Sequence, residues 1–394
     1  MAIAATGVGA GDMITAAVTG AKFGVILLWS AAIGALFKFV LNEGIARWQL
    51  ATGTTLLEGW SQRLHKGVSV YFIIYLVLWG FIVSGALISA CGLAGHALWP
   101  GLSVAAWGMI HSTVAAALVF WGRYGLFERM MKFFIGLMFA VMILCAILLK
   151  PDPGHIFRSI FIPAIPVGSS KFILGVIGGV GGSVTILSYG YWIRERGWLQ
   201  PASKTYIQID LGIAYLLTGI FGIAVMVIAA GANPQAVAGR RMALEVAGRL
   251  AQVIGPLGKW TFLVGFWGAV FSSMLGVWQG IPYLFADFVT PRQTHGSTPV
   301  PQVQTHSIYY RGFLLFLAFP PMLLLLFGKP VWIVVIYSIT GALFMPFLAA
   351  TLLFMNNQRK WVHGFKNGWL LNLLLLLSLA LFGYLGVLEL IRLF

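Results

Sequence analysis

A carboxylate set among glycines in an apolar stretch, Gly7-Val8-Gly9-Ala10-Gly11-Asp12, is the clearest candidate for chemistry in this chain. Of the ten acidic residues, Asp12 alone falls inside a predicted break in an apolar helix. A carboxylate there needs a cation, a proton or several hydrogen-bond donors to offset its lost hydration. It also suits an N-cap for a helix beginning at Met13, and the two roles are compatible. A second cluster, Gly175 and then Gly178-Gly179-Val180-Gly181-Gly182-Ser183, is followed by hydroxyls at Thr185 and Ser188. Hydroxyls and freed carbonyls are hard oxygen ligands, which suit Mg²⁺, Mn²⁺ or Ca²⁺ better than soft metals. A single Ser or Thr on a helix more often bonds its own backbone. His111 reads as a satisfied interior histidine, and Cys91 and Cys145 as small buried apolar residues. No phosphate-binding loop, metalloprotease helix or catalytic triad pattern occurs. That argues against an ATP-driven pump and an intramembrane protease, so neither an enzyme nor a resident cofactor is expected.

The elements that must position these residues follow from composition. Hydrophobic residues make up 60% of the chain and charged ones 9%, against about 25% charged in a soluble domain. Most of the chain therefore faces lipid. A net charge of +15 would point to nucleic acid in a soluble protein. Here the cations sit in short loops between apolar runs, so the expected partner is the bilayer and not nucleic acid. The pattern predicts an all-α integral membrane protein with about eleven spans, at 1–20, 24–41, 69–91, 103–121, 131–149, 171–192, 206–230, 260–289, 311–327, 331–355 and 368–391.

The long connections are 42–68 and 231–259. The second contains Arg240 to Gln252, patterned as a short amphipathic surface helix. A cytoplasmic N-terminus places the larger share of Lys and Arg in the inner loops of a plasma membrane, bacterial inner membrane in type. Lys38, near the inner end of the second span, is expected to snorkel to the interface. Arg194-Glu195-Arg196 closes the sixth span as an interfacial anchor or a gate. Asp210 and Asp287, near span ends, are expected to pair with loop cations.

Glycine weakens a helix interior by about 1 kcal/mol relative to alanine. The two clusters mark either unwound backbone or close helix packing. They lie five spans apart, in equivalent places of two successive five-helix units. Paired interruptions of this kind point to an inverted repeat with its site at the midplane. One domain over 1–394 is expected, with a first repeat at 1–150, an inverted second at 171–355 and an added helix at 368–391.

Several stretches are similar to one family. They are Gly11-Asp12 through Gly20-Ala21-Lys22-Phe23-Gly24, Glu43-Gly44-Ile45-Ala46-Arg47 with Thr52-Gly53, the sixth span, Ser272-Ser273 and Met345-Pro346-Phe347. The chain resembles the NRAMP divalent-metal transporters. The resemblance implies the five-plus-five inverted fold of carriers such as LeuT, with the first and sixth helices broken.

The departures from the family are specific. Its first-span Asp-Pro-Gly-Asn falls on Gly9-Ala10-Gly11-Asp12, so one carboxylate remains, three residues along. Its sixth-span Met-Pro-His falls on Ile186-Leu187-Ser188, which removes the thioether and the histidine. Its carbonyl ligand maps to Ser183 and its tenth-span glutamine to Ser338. The third span holds no acid for the family's proton route.

The metal ligands so implied are Asp12, the carbonyls near Val8 and Gly9, Ser183, Thr185 and Ser338. The expected function is secondary transport of a divalent cation of the Mn/Fe/Mg class by alternating access. A carrier of a small organic solute, or a non-transporting membrane sensor or assembly subunit, are the competing readings. Eight residues before Gly9 make about 12 Å of helix. That is short of a cytoplasmic face, so the start lies upstream of Met1 or the first half-helix is truncated.

Overall fold

The computed structural model describes residues 9–121, 125–290 and 306–391. Among them every regular element is helical. Among the described residues nine helices are long and apolar enough to cross a bilayer, or ten if the bent pair Ile135–Leu148 and Pro153–Phe161 forms one span. The first span is described only from Ala10 to Phe23. Eleven spans are compatible with this arrangement. Burial orders them: 89% of the sixth span's apolar window is buried but only 28% of the eleventh's. The broken helix is thus central and the added one peripheral.

The second span runs Leu28–Thr52, well past the expected end at 41. Asn42, Glu43, Arg47 and Gln49 make that extension polar, yet all four are buried and hydrogen-bonded. A capped helix, Leu56–Arg63, follows, its Thr55 and Glu58 exchanging hydrogen bonds at the N-terminus. The helix expected near Arg240 to Gln252 begins at Met242. It buries Met242, Val246, Ala247 and Leu250 against protein. Non-helical geometry at Ile254 and Gly255, just before Pro256, separates it from the eighth span.

The sixth span settles both readings of its glycines. Ser170–Gly179 is one half-helix, and Tyr189–Glu195 is the other after a tight 3-10 turn over Val184–Ser188. Gly181 and Gly182 between them take φ of +69° and +82°, conformations that glycine adopts without penalty. They unwind the backbone. Gly178 has the other role, because a Cβ there would stand 2.0 Å from the Ser338 carbonyl oxygen of the tenth span. Gly20 likewise lets the first span approach Met226 of the seventh, where a Cβ would meet its carbonyl oxygen at 2.4 Å.

A substitution separates packing from helix propensity. Gly178→Ala should destabilise the protein by about 3 kcal/mol, because backbone of two central helices must part. Gly383→Ala in the eleventh span, where a Cβ meets nothing within 4 Å, should be neutral or stabilising by up to about 1 kcal/mol. Thermal unfolding of the two variants in detergent compares them directly. Equal midpoints would remove the packing role from Gly178.

Candidate functional site

Helix one begins at the site. Gly9 is its N-cap, with extended backbone, and Asp12 occupies the third helical position. Asp12 is therefore not itself the N-cap; its side chain turns back and accepts the Gly9 N–H at 3.0 Å through Oδ2. Its Oδ1 accepts the Gly181 N–H at 2.9 Å. One carboxylate thus joins the start of the first helix to the unwound turn of the sixth. At 3% exposure it is sealed from bulk water. A negative group suits this place, since a helix N-terminus carries unsatisfied N–H groups and positive potential.

The opposite charge comes from Lys38 of the second span. Lys38 does not snorkel; it is fully buried. Its Nζ donates to the carbonyls of Gly178 at 3.1 Å and Val180 at 3.0 Å, and to that of Gly182. These are the orphan carbonyls where the half-helix Ser170–Gly179 ends, the negative end of its dipole. Lys38 and Asp12 lie within each other's electrostatic reach. The break therefore holds an anion on its N–H side and a cation on its C=O side. The signal for Lys38 was available: a lysine in an apolar span is a functional candidate by default.

Beside Asp12 lies a cavity of about 70 Å³. Its lining includes Gly9, Gly181, Gly182 and Thr185, then Asn42, Tyr215 and Tyr337, and it extends to Tyr189 and Trp192 on the second half of the sixth span. Asn42 orients Tyr215 by donating to its hydroxyl at 3.0 Å. The structure brings Asp12, Gly9 and Thr185 to this one cavity. Ser338 is not on its wall: it faces Gly11 but donates its hydroxyl to the Val334 carbonyl. Ser183 is also off the wall, buried against Gly341. Val8 and Gly7 lie outside the described residues. Among the described residues no group of three or more His, Cys, Asp or Glu side chains could hold a metal. Any cation here would rely on Asp12, hydroxyls and backbone oxygen.

Arg194, Asp210 and Asp287 each bond a neighbouring side chain. Arg194 pairs with Glu58 at 2.9 Å, tying the end of the sixth span to the helix Leu56–Arg63. Asp210 meets Arg196 at 3.7 Å and accepts from Tyr189. Asp287 accepts the Tyr191 hydroxyl at 2.5 Å, so a tyrosine of the sixth span bonds it there. His111 is satisfied as expected, accepting the Trp267 N–H at Nε2 and facing the Trp107 carbonyl at Nδ1.

An interrupted central helix, whose unwound backbone and a neighbouring buried carboxylate face a cavity, places the chain among multi-pass membrane proteins of the broken-helix class. Solved structures share this fold. The manganese transporter of Eremococcus coleocola superposes with a TM-score of 0.75 at 15% identity, over 98% of this chain and 84% of that one. MhsT, solved with L-phenylalanine, gives 0.64 at 14% identity, over 98% and 96%. Likeness at such identity is one of fold, here the LeuT-like arrangement.

Residues 1–392 match the natural resistance-associated macrophage protein-like family, and the chain belongs to it. The divalent metal cation transporter MntH of Chromohalobacter salexigens is 22% identical over 230 residues, 56% of this chain. That match covers 53% of MntH, so the chain spans about half the length of the curated relative it matches.

Proposed function

We propose that this protein is a secondary transporter that moves a divalent cation of the Mn/Fe/Mg class across a plasma membrane by alternating access. The observation that carries the reading is the buried Asp12 carboxylate, held at the meeting of two helix ends and facing the cavity. Both its oxygens already accept an N–H, but a carboxylate offers about four lone-pair sites. A cation can therefore bind Asp12 without breaking those bonds. Thr185, the Gly9 carbonyl and water supply further hard oxygen. Ser183, Ser338 and the Val8 carbonyl join the site in a state where the first and sixth spans have shifted. Without a thioether the site discriminates weakly against Mg²⁺ and Ca²⁺. The two repeats, 1–150 and 171–355, rock about this point with 368–391 appended, and the N-terminus is cytoplasmic.

Purified protein in liposomes should take up Mn²⁺ or Mg²⁺, and Asp12→Ala should abolish the uptake. Undiminished flux in that variant would reject the assigned site. A second reading, carriage of a small organic solute, draws on the filled carbonyls: Lys38 already provides a positive charge at the break, and the cavity is lined by Tyr189, Trp192, Tyr215 and Tyr337. Under that reading amino acids, and not metals, raise the melting midpoint of the purified protein.

A further inference from the structure

We infer that the carbonyls of Gly178, Val180 and Gly182 form a monovalent-cation site that the Lys38 ammonium fills, so that removing Lys38 makes the protein dependent on a free alkali cation. Three carbonyl oxygens converge on one point because the half-helix Ser170–Gly179 stops there and Gly181 and Gly182 turn the following peptides back. Buried carbonyls without a partner are unfavourable at membrane depth. Three of them aimed at a common point, at the negative end of a helix dipole, leave a cavity of strongly negative potential. The second span supplies the ammonium that occupies it, from a side chain with no exposure.

Charge and ligand type select the class of ion. A single positive charge balances Asp12 across the break, and a monovalent ion in place of Lys38 preserves that balance. Neutral carbonyl oxygen alone suits Na⁺ or K⁺, whereas divalent ions in proteins draw on carboxylates. The built-in lysine thus makes the sixth-span break independent of the ionic composition around it. The inference does not rest on what the protein carries, since the carbonyls need a cation whether the cargo is a metal or an organic solute.

Lys38→Met and Lys38→Ala, each extracted into detergent in NaCl, KCl or choline chloride at equal ionic strength, test it beside the wild type. Wild-type recovery and melting midpoint should be the same in all three salts. For the variants, monodisperse protein should be recovered in Na⁺ or K⁺ in clear excess over choline. Their midpoint should rise by about 3 °C with the cation near 100-fold above its Kd. Variants that behave alike in the three salts, whether equally well folded or equally lost, would overturn the assignment. So would rescue by MgCl₂ alone, or a wild type that itself requires Na⁺ or K⁺. No flux is measured, so failure here leaves the transport reading intact, and failure of uptake leaves this one intact.

Discussion

Asp12→Ala should lower the stability of the folded protein by about 3–5 kcal/mol, besides its effect on uptake, because it strands a buried charge. Three groups lose their partner at once. The Lys38 ammonium loses the counter-charge within its reach, and the Gly9 and Gly181 N–H groups lose their acceptor. Each orphaned N–H contributes about 1–3 kcal/mol of desolvation that nothing offsets. Asp12→Asn keeps the shape and one carbonyl acceptor but removes the charge, so it should fall between wild type and Asp12→Ala.

A double-mutant cycle apportions the loss. Asp12→Asn combined with Lys38→Met should be less destabilised than the two single effects summed, by at least about 1 kcal/mol, since neither charge is then left alone. The measurement is the midpoint of unfolding in detergent, read by tryptophan fluorescence, in a single choline-based buffer. Simple additivity would mean that the two charges do not act on each other. Asp12→Asn also serves the uptake experiment: if it remains folded and carries no Mn²⁺, the loss of flux is not a loss of structure.

Asp12 and the two glycine clusters were legible from the chain because they are local features. A carboxylate within an apolar stretch needs an explanation wherever the stretch folds. The placement of the sixth-span break followed from glycine chemistry alone, and Gly181 and Gly182 bear it out with positive φ. Lys38 was misplaced through an error in one helix boundary. Hydropathy ends the second span where Asn42 and Glu43 begin, which sets Lys38 near an interface. The helix instead continues to Thr52, about 16 Å further at 1.5 Å per residue. That extension moves Lys38 deep into the protein.

What hid the extension is that its polar residues are satisfied by partners far along the chain. Gln49 reaches the Gly190 carbonyl, Asn42 the Tyr215 hydroxyl, and Gln208 reaches back to Glu43. No local pattern encodes those contacts. The hydroxyls divided in the same way. Thr185 follows the break directly and lines the cavity, whereas Ser338 was assigned by likeness and spends its hydroxyl on its own helix.

Breaking the Glu43–Arg47 pair should be as damaging as losing Asp12, at about 3–5 kcal/mol for either single removal, because each partner is buried. Both groups are nearly sealed, at 4% and 6% exposure. The Arg47 guanidinium donates to both carboxylate oxygens, through Nε at 3.1 Å and through a second nitrogen. Arg47 also donates to the Phe365 carbonyl at 3.3 Å, and Gln208 donates to Glu43 at 3.0 Å. The pair therefore fastens the lower second span to the seventh span and to the connection before the eleventh.

Arg47→Met leaves the Glu43 carboxylate with the Gln208 amide alone. Glu43→Gln leaves the guanidinium with the Phe365 carbonyl and a neutral amide. Replacing both by Met should recover most of the loss, because a well-packed apolar pair of similar volume is often neutral or better than a buried ion pair. Unfolding midpoints of the two single variants and the double variant decide it. Single variants that melt with the wild type would mean that water reaches these side chains. The second span would then end in solvent near 41, and Lys38 would have no protein interior to cross on its way to the break.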